Sequence, residues 1–190
     1  MKALISYEEA RKDIKDGDIV FVSSSSIVAR IIRFFTFSKY SHAGIAFWAT
    51  VSGRNRLFMV EAQGGAKRRI VNMSFYRGKR LEVVESPRQW SEYANQALDR
   101  LGEVEYGWLE AAYVGLREFL LKMTKYIKLP RLDMPGEICS VYLARMLDLP
   151  PTNMSPQLLF EHLTKAGYKV RSIKYNIRRP AKRAFLSSPI

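Results

Sequence analysis

Cys139 is the only cysteine in this 190-residue chain. It stands in Pro135-Gly136-Glu137-Ile138-Cys139-Ser140-Val141-Tyr142-Leu143-Ala144, where a Pro-Gly break precedes an apolar run of helical spacing. The pattern predicts a cysteine in the first turn of a helix. Unpaired backbone N–H groups and the helix dipole favour thiolates at such positions. A thiolate nucleophile needs a proton shuttle, and His42 opens the apolar run Ala43 to Ala49. The other histidine, His162, falls mid-helix and reads as structural. Glu61 interrupts a further apolar run, Leu57 to Ala62, and lies across the turn Ser52-Gly53-Arg54-Asn55 from His42. If the two runs form a hairpin, the far end of the second strand returns beside the start of the first. Glu61 then orients the His42 ring and stabilises its charged form. The chemistry this set supports is thiolate attack on a carbonyl, with imidazole moving the proton and a carboxylate holding the imidazole.

Each of these residues also has a structural reading. A free cysteine often acts as a small buried hydrophobe. A strand-end histidine can be satisfied locally, and Glu61 can pair with Arg68 or Arg69. Gln63 is a second candidate to orient His42. Tyr106, just ahead of a long helix, is a candidate oxyanion donor, although a packed tyrosine fits the same position. The backbone N–H of Cys139 is a natural oxyanion donor as well. Ser41 lacks the Gly-x-Ser-x-Gly setting of a serine nucleophile and stays only as a possible substrate contact.

The elements that would position these groups follow in order. Ser6-Tyr7-Glu8-Glu9 fits a capping box for a helix to about Ile14, ended by Asp16-Gly17-Asp18. Ile19 to Val22 reads as a buried strand and Ile27 to Phe35 as an amphipathic helix with Arg30 and Arg33 on its wetter face. Ala43 to Ala49 reads as a central strand buried on both faces, followed by strands at Leu57 to Ala62, Arg69 to Met73 and Leu81 to Val84 in an antiparallel meander. Ser91 is the expected cap of a helix to about Leu101. Trp108, Leu109, Ala112, Tyr113, Leu116, Phe119, Leu120 and Met123 form a stripe at helical spacing, read as core-facing in preference to membrane-facing. The Cys139 helix runs to about Leu147. Ser155-Pro156 caps a helix ending at Gly167, and Tyr168 to Ile173 is an edge strand.

Length and composition predict a single domain over residues 1–175 with a helical insertion at about 107–127 and a basic tail over 176–190. A hydrophobic fraction of 47% is enough for a full core. One cysteine excludes an internal disulfide and a multi-cysteine zinc site, and two distant histidines give no metal-ligand spacing, so no metal is expected. The first residues lack a signal-peptide core, and no transmembrane span is present, which predicts a cytoplasmic protein unless delivered to an envelope or packaged in a virion. The net charge is +13, and no acidic residue follows Glu161 while eight lysines and arginines do. Candidate partners for this tail are an anionic cell-wall polymer, lipid or nucleic acid, although a solvated basic surface reads equally well.

Gly17-Asp18-Ile19-Val20-Phe21, Thr36-Phe37-Ser38-Lys39-Tyr40-Ser41-His42-Ala43-Gly44-Ile45, Val60-Glu61-Ala62, Ile138-Cys139-Ser140 and Ser155-Pro156 occur in one order over roughly residues 15 to 160. In these pieces the chain resembles the permuted papain-like cysteine hydrolases of the NlpC superfamily, in the branch of the YiiX/YaeF-like bacterial proteins and the lecithin:retinol acyltransferase relatives. In that family the histidine precedes the cysteine, as here. The resemblance implies an α+β fold with helices packed on an antiparallel sheet that starts at His42. It implies Cys139 as nucleophile, His42 as base and Glu61 as orienter, cleaving an amide, ester or thioester through an acyl-enzyme without metal or cofactor. The long aromatic segment between Tyr106 and Cys139 and the basic tail depart from the family's motifs. The expected activity is that of a cysteine peptidase or amidase on a peptidoglycan peptide or related amide. A lipid acyl hydrolase or acyltransferase, and a non-catalytic basic module of a virion or a nucleic-acid complex, are the competing expectations.

Overall fold

The computed structural model describes residues 7–62, 68–99, 101–102, 108–124, 138–149 and 154–174. It is a mixed α+β fold built on one six-stranded antiparallel sheet. The strands are β1 (Ile19–Ser23), β2 (His42–Val51), β3 (Arg54–Ala62), β4 (Arg68–Asn72), β5 (Arg80–Val84) and β6 (Val170–Lys174). Their order across the sheet is β4-β3-β2-β1-β5-β6. The helices are α1 (Tyr7–Ala10), α2 (Ile27–Phe35), α3 (Trp90–Leu98), α4 (Trp108–Met123), α5 (Cys139–Met146) and α6 (Pro156–Lys165).

The two central strands are apolar because both of their faces are covered. On one face Ile19, Phe21, Ala43, Ile45, Phe47 and Val60 pack against Tyr93 of α3, Tyr142 and Leu143 of α5, and Leu159 of α6. On the other, Val20, Val22, Ala46 and Met59 pack against Tyr7, Ala10 and Ile14 near the N-terminus and against Met73 and Tyr76. The sheet does not start at His42, since β1 lies next to β2 at its centre and pairs Val22 with His42.

The hairpin between β2 and β3 closes on two residues, Ser52 and Gly53, at φ +51° and +71°. Two successive positive φ values give the twist that a tight antiparallel hairpin needs. Gly44 of β2 is required by close approach. A Cβ there would come within 2.8 Å of the Val60 carbonyl oxygen and 2.7 Å of the Met59 side chain.

Three expectations are corrected. The strands do not form a simple meander: β2, β3 and β4 follow one, but β5 pairs with β1. After β4 the chain turns through a 3-10 helix at Met73–Tyr76, and the burial of Met73 and Tyr76 under the sheet carries it past the earlier strands. The third helix begins at Trp90 with Gln89 at its cap, so Ser91 lies inside it. Trp90 is drawn in by its stack on Phe47, with ring centroids 5.5 Å apart. That helix ends at Leu98, where the Asp99 carbonyl accepts a 2.8 Å hydrogen bond from Arg68. The N-terminal helix passes at Arg11 into a 3-10 turn, short of Ile14, and its expected cap Ser6 lies outside the described residues.

Other elements stand where their local signals put them. Ser155 caps α6 by accepting from Leu158 N–H, with Pro156 in the first turn, and Gly167 follows at φ +89°. β6 is an edge strand paired with β5. Gly17 and Asp18 have a structural task. Asp18 is buried, accepts from Lys15 N–H at 2.8 Å, and pairs with Arg171 of β6 at 2.5 Å. Among the described residues no helix is long and apolar enough to cross a membrane.

Candidate active site

His42 is the first residue of β2 and Cys139 the first residue of α5. Helix α5 packs on β2 through Tyr142 and Leu143, which lie against Ala43 and Ile45. This brings the helix start to the His42 end of the strand, close enough for the Cys139 sulfur to act electrostatically on the His42 ring. Ile138, the residue before the helix, is extended, and its side chain cannot cap the first turn. The first turn of the helix thus has no side-chain cap from Ile138. The Ser140 hydroxyl is turned away and donates to the Met154 carbonyl.

The hairpin register sets Ile45 opposite Val60, which returns Glu61 to the start of β2. Glu61 is fully buried, and its Oε2 lies 2.9 Å from His42 Nε2. A carboxylate only accepts, so Nε2 carries the proton of that bond and Nδ1 is the nitrogen left for the sulfur. Two further donors hold Glu61. The Tyr76 hydroxyl donates to Oε2. Arg69, which faces Glu61 across the β3–β4 pairing, donates through Nε to Oε1 at 2.9 Å, and its Nη2 lies at ion-pair distance, 2.9 Å, from the same oxygen. The Tyr76 ring lies roughly parallel to the imidazole, with centroids 6.3 Å apart, and Lys79 Nζ sits 4.8 Å over the Tyr76 ring.

The electrostatics follow from these contacts. Burial raises the Glu61 carboxyl, but the His42, Tyr76 and Arg69 donors outweigh it and hold the group below its ordinary value. Burial likewise disfavours a charged His42 ring. The negative sulfur of Cys139 and the Glu61 carboxylate outweigh that cost and push the ring up to about 10. Tyr76 is raised, first by burial and then by the Glu61 charge, so it remains a hydroxyl donor. The arrangement can hold a charged imidazole between the Cys139 sulfur and a carboxylate, at the start of a helix.

Among the sequence candidates, Cys139, His42 and Glu61 are brought together. Ser41 is not part of the set. Its hydroxyl is engaged by the Val22 carbonyl and by Ser24 N–H, each at 3.2 Å, which ties the loop before β2 to β1. Gln63 and Tyr106 lie outside the described residues. His162 is exposed on α6. The two pairings set against each other for Glu61 exist together, because His42 and Arg69 use different oxygens. Arg68 instead packs its guanidinium 4.5 Å over the Tyr142 ring. Tyr76 was missed. It ends the 3-10 helix after β4 with no motif around it, and only the path of the chain under the sheet brings it to Glu61. No group of His, Cys, Asp and Glu suited to a metal ion occurs among the described residues.

No protein-family model matches the chain, and comparison with curated proteins gives no match.

Proposed function

We propose that the protein is a cysteine hydrolase with a permuted papain-like fold of the NlpC type, cleaving an amide through an acyl-enzyme. The observation that carries this reading is the His42 ring held between the Cys139 sulfur and a buried, triply hydrogen-bonded Glu61. The order histidine, carboxylate, cysteine along the chain and a cysteine-bearing helix packed against the histidine strand support the fold assignment.

In the reaction the Cys139 sulfur attacks the scissile carbonyl carbon. The Cys139 backbone N–H stabilises the oxyanion, and the charged His42 gives its proton to the departing amine as the C–N bond breaks. His42, now neutral, takes a proton from water, which attacks the thioester and releases the acid and the thiolate. Glu61 keeps the ring in place through both steps, and Arg69 and Tyr76 keep Glu61 ionised and oriented. A peptidoglycan peptide or a related amide is the substrate class that fits the basic charge of the chain. The exposed apolar face of α2 and α4 described below favours a second reading, hydrolysis or transfer of a lipid acyl group.

Incubation of the full chain with purified cell walls and, separately, with phospholipid vesicles decides between them. Peptide release from walls that stops in Cys139→Ala is expected, together with a mass shift on Cys139 in rapidly quenched samples. Fatty-acid release alone would favour the second reading. Cleavage of neither, with salt-sensitive nucleic-acid binding, would replace both with a non-catalytic basic module.

A further inference from the structure

The apolar stripe of α4 is only partly covered: among its described residues Tyr113, Phe119 and Leu120 are half-buried, whereas Ala112, Leu116 and Met123 are exposed. The inward residue of the helix is Val114, which packs against Ile138 and Val141, on either side of Cys139. Leu116 is 51% and Met123 63% exposed, and Ala112 is exposed beside them. Helix α2 lies alongside α4, and Phe37 just beyond its end stacks on Phe119 of α4 with centroids 5.9 Å apart. Phe37 is held there at φ +47°, a conformation bulky residues seldom adopt. On α2 itself, Ile27, Arg30 and Phe34 fall at i, i+3 and i+7, all exposed, with Phe34 at 67%.

The α2 side of this face is basic. Residues 24–41 contain Arg30, Arg33 and Lys39 and no acid. Arg33 and Arg117 each bury an Nε that has no hydrogen-bond partner among the described residues. Exposed apolar side chains interleaved with the basic residues of a stretch that holds no acid match the boundary of an anionic bilayer. There the rings enter the acyl region and the guanidinium groups meet phosphate.

We propose that the α2–α4 face is a peripheral docking surface for anionic phospholipid. This docking does not depend on which bond the thiolate cleaves, because it rests on a surface formed by other residues.

The test is co-sedimentation of the full chain with vesicles of phosphatidylglycerol and phosphatidylcholine, against vesicles of phosphatidylcholine alone. The wild-type chain is expected to partition to the anionic vesicles at least about tenfold more strongly, since each basic residue near such a surface adds to binding. Leu116→Glu with Phe34→Glu, and separately Arg30→Glu with Arg33→Glu, are each expected to lower that partition by about tenfold or more while the basic tail stays intact. Retention of the wild-type rate of Cys139 alkylation shows that these variants are folded. A milder pair, Leu116→Ser with Phe34→Ser, serves if the charged pair is not. Unchanged vesicle binding in folded variants would overturn the proposal. So would complete competition by soluble polyphosphate with no effect of Phe34 or Leu116, which would assign the binding to charge alone.

Discussion

Glu61 is the residue on which the site's electrostatics turn. It is wholly buried yet ionised, because three donors from three parts of the chain converge on its two oxygens. Replacing it with glutamine keeps the size and removes the charge. Glu61→Gln is expected to lower the His42 proton affinity, so that the alkaline limb of kcat/KM moves down from the region of pH 10 toward the ordinary imidazole range. Turnover should fall by at least about tenfold. A pH–rate profile on whichever substrate is turned over checks this, and an unmoved alkaline limb would remove Glu61 from the mechanism. Sequence logic reached the Cys139, His42 and Glu61 set because a strand start, a hairpin and a helix start are local signals. Tyr76 stayed hidden because its approach to Glu61 depends on a long-range chain path that no local pattern encodes.

At the scale of elements, the β2–β3 hairpin places the carboxylate and α5 places the sulfur. The hairpin tolerates little change at Gly44, where the two strands are closest. Gly44→Ala puts a methyl group within 2.8 Å of the Val60 carbonyl, next to Glu61 in the chain. The backbone cannot yield cheaply, so the substitution should destabilise by about 1–3 kcal/mol. The denaturation midpoint measures that loss, and a change smaller than the error of the midpoint would show that the hairpin can shift to accept the methyl. The same scale shows where periodicity misleads. The stripe of α4 has helical spacing, and spacing identifies the helix without saying which side is covered. Packing at Val114 shows that the side opposite the stripe is buried, while the stripe itself is only partly covered. The crossing of β5 to the far side of β1 was hidden for a similar reason. Short strands of alternating apolar residues do not name their partners, and here the burial of Met73 and Tyr76 decides the route.

For the molecule as a whole, the His42–Glu61 pairing makes stability depend on pH at both ends. His42 has a folded value near 10, above its ordinary 6.5. It therefore stabilises in full below 6.5 and loses that contribution as pH rises through 10. Glu61 has a lowered folded value. It stabilises above the ordinary carboxylate range and loses that contribution as pH falls below it. The stability lead of wild-type protein over His42→Ala should thus be widest in mildly acidic solution, above the carboxylate range, and shrink toward pH 10. Chemical denaturation across that range measures it, and a constant lead would contradict the coupling. The +13 charge was legible at once from composition, but charge alone chose no partner. The exposed α2–α4 face supplies the chemistry that composition lacked. The central claim is that Cys139 is activated by His42, and the rate at which a thiol-directed electrophile labels Cys139 near neutral pH tests it most directly. The account predicts labelling at least about tenfold faster than for a free-cysteine peptide, with His42→Ala bringing the rate down toward the peptide's. Equal rates in the wild-type protein and His42→Ala would contradict it.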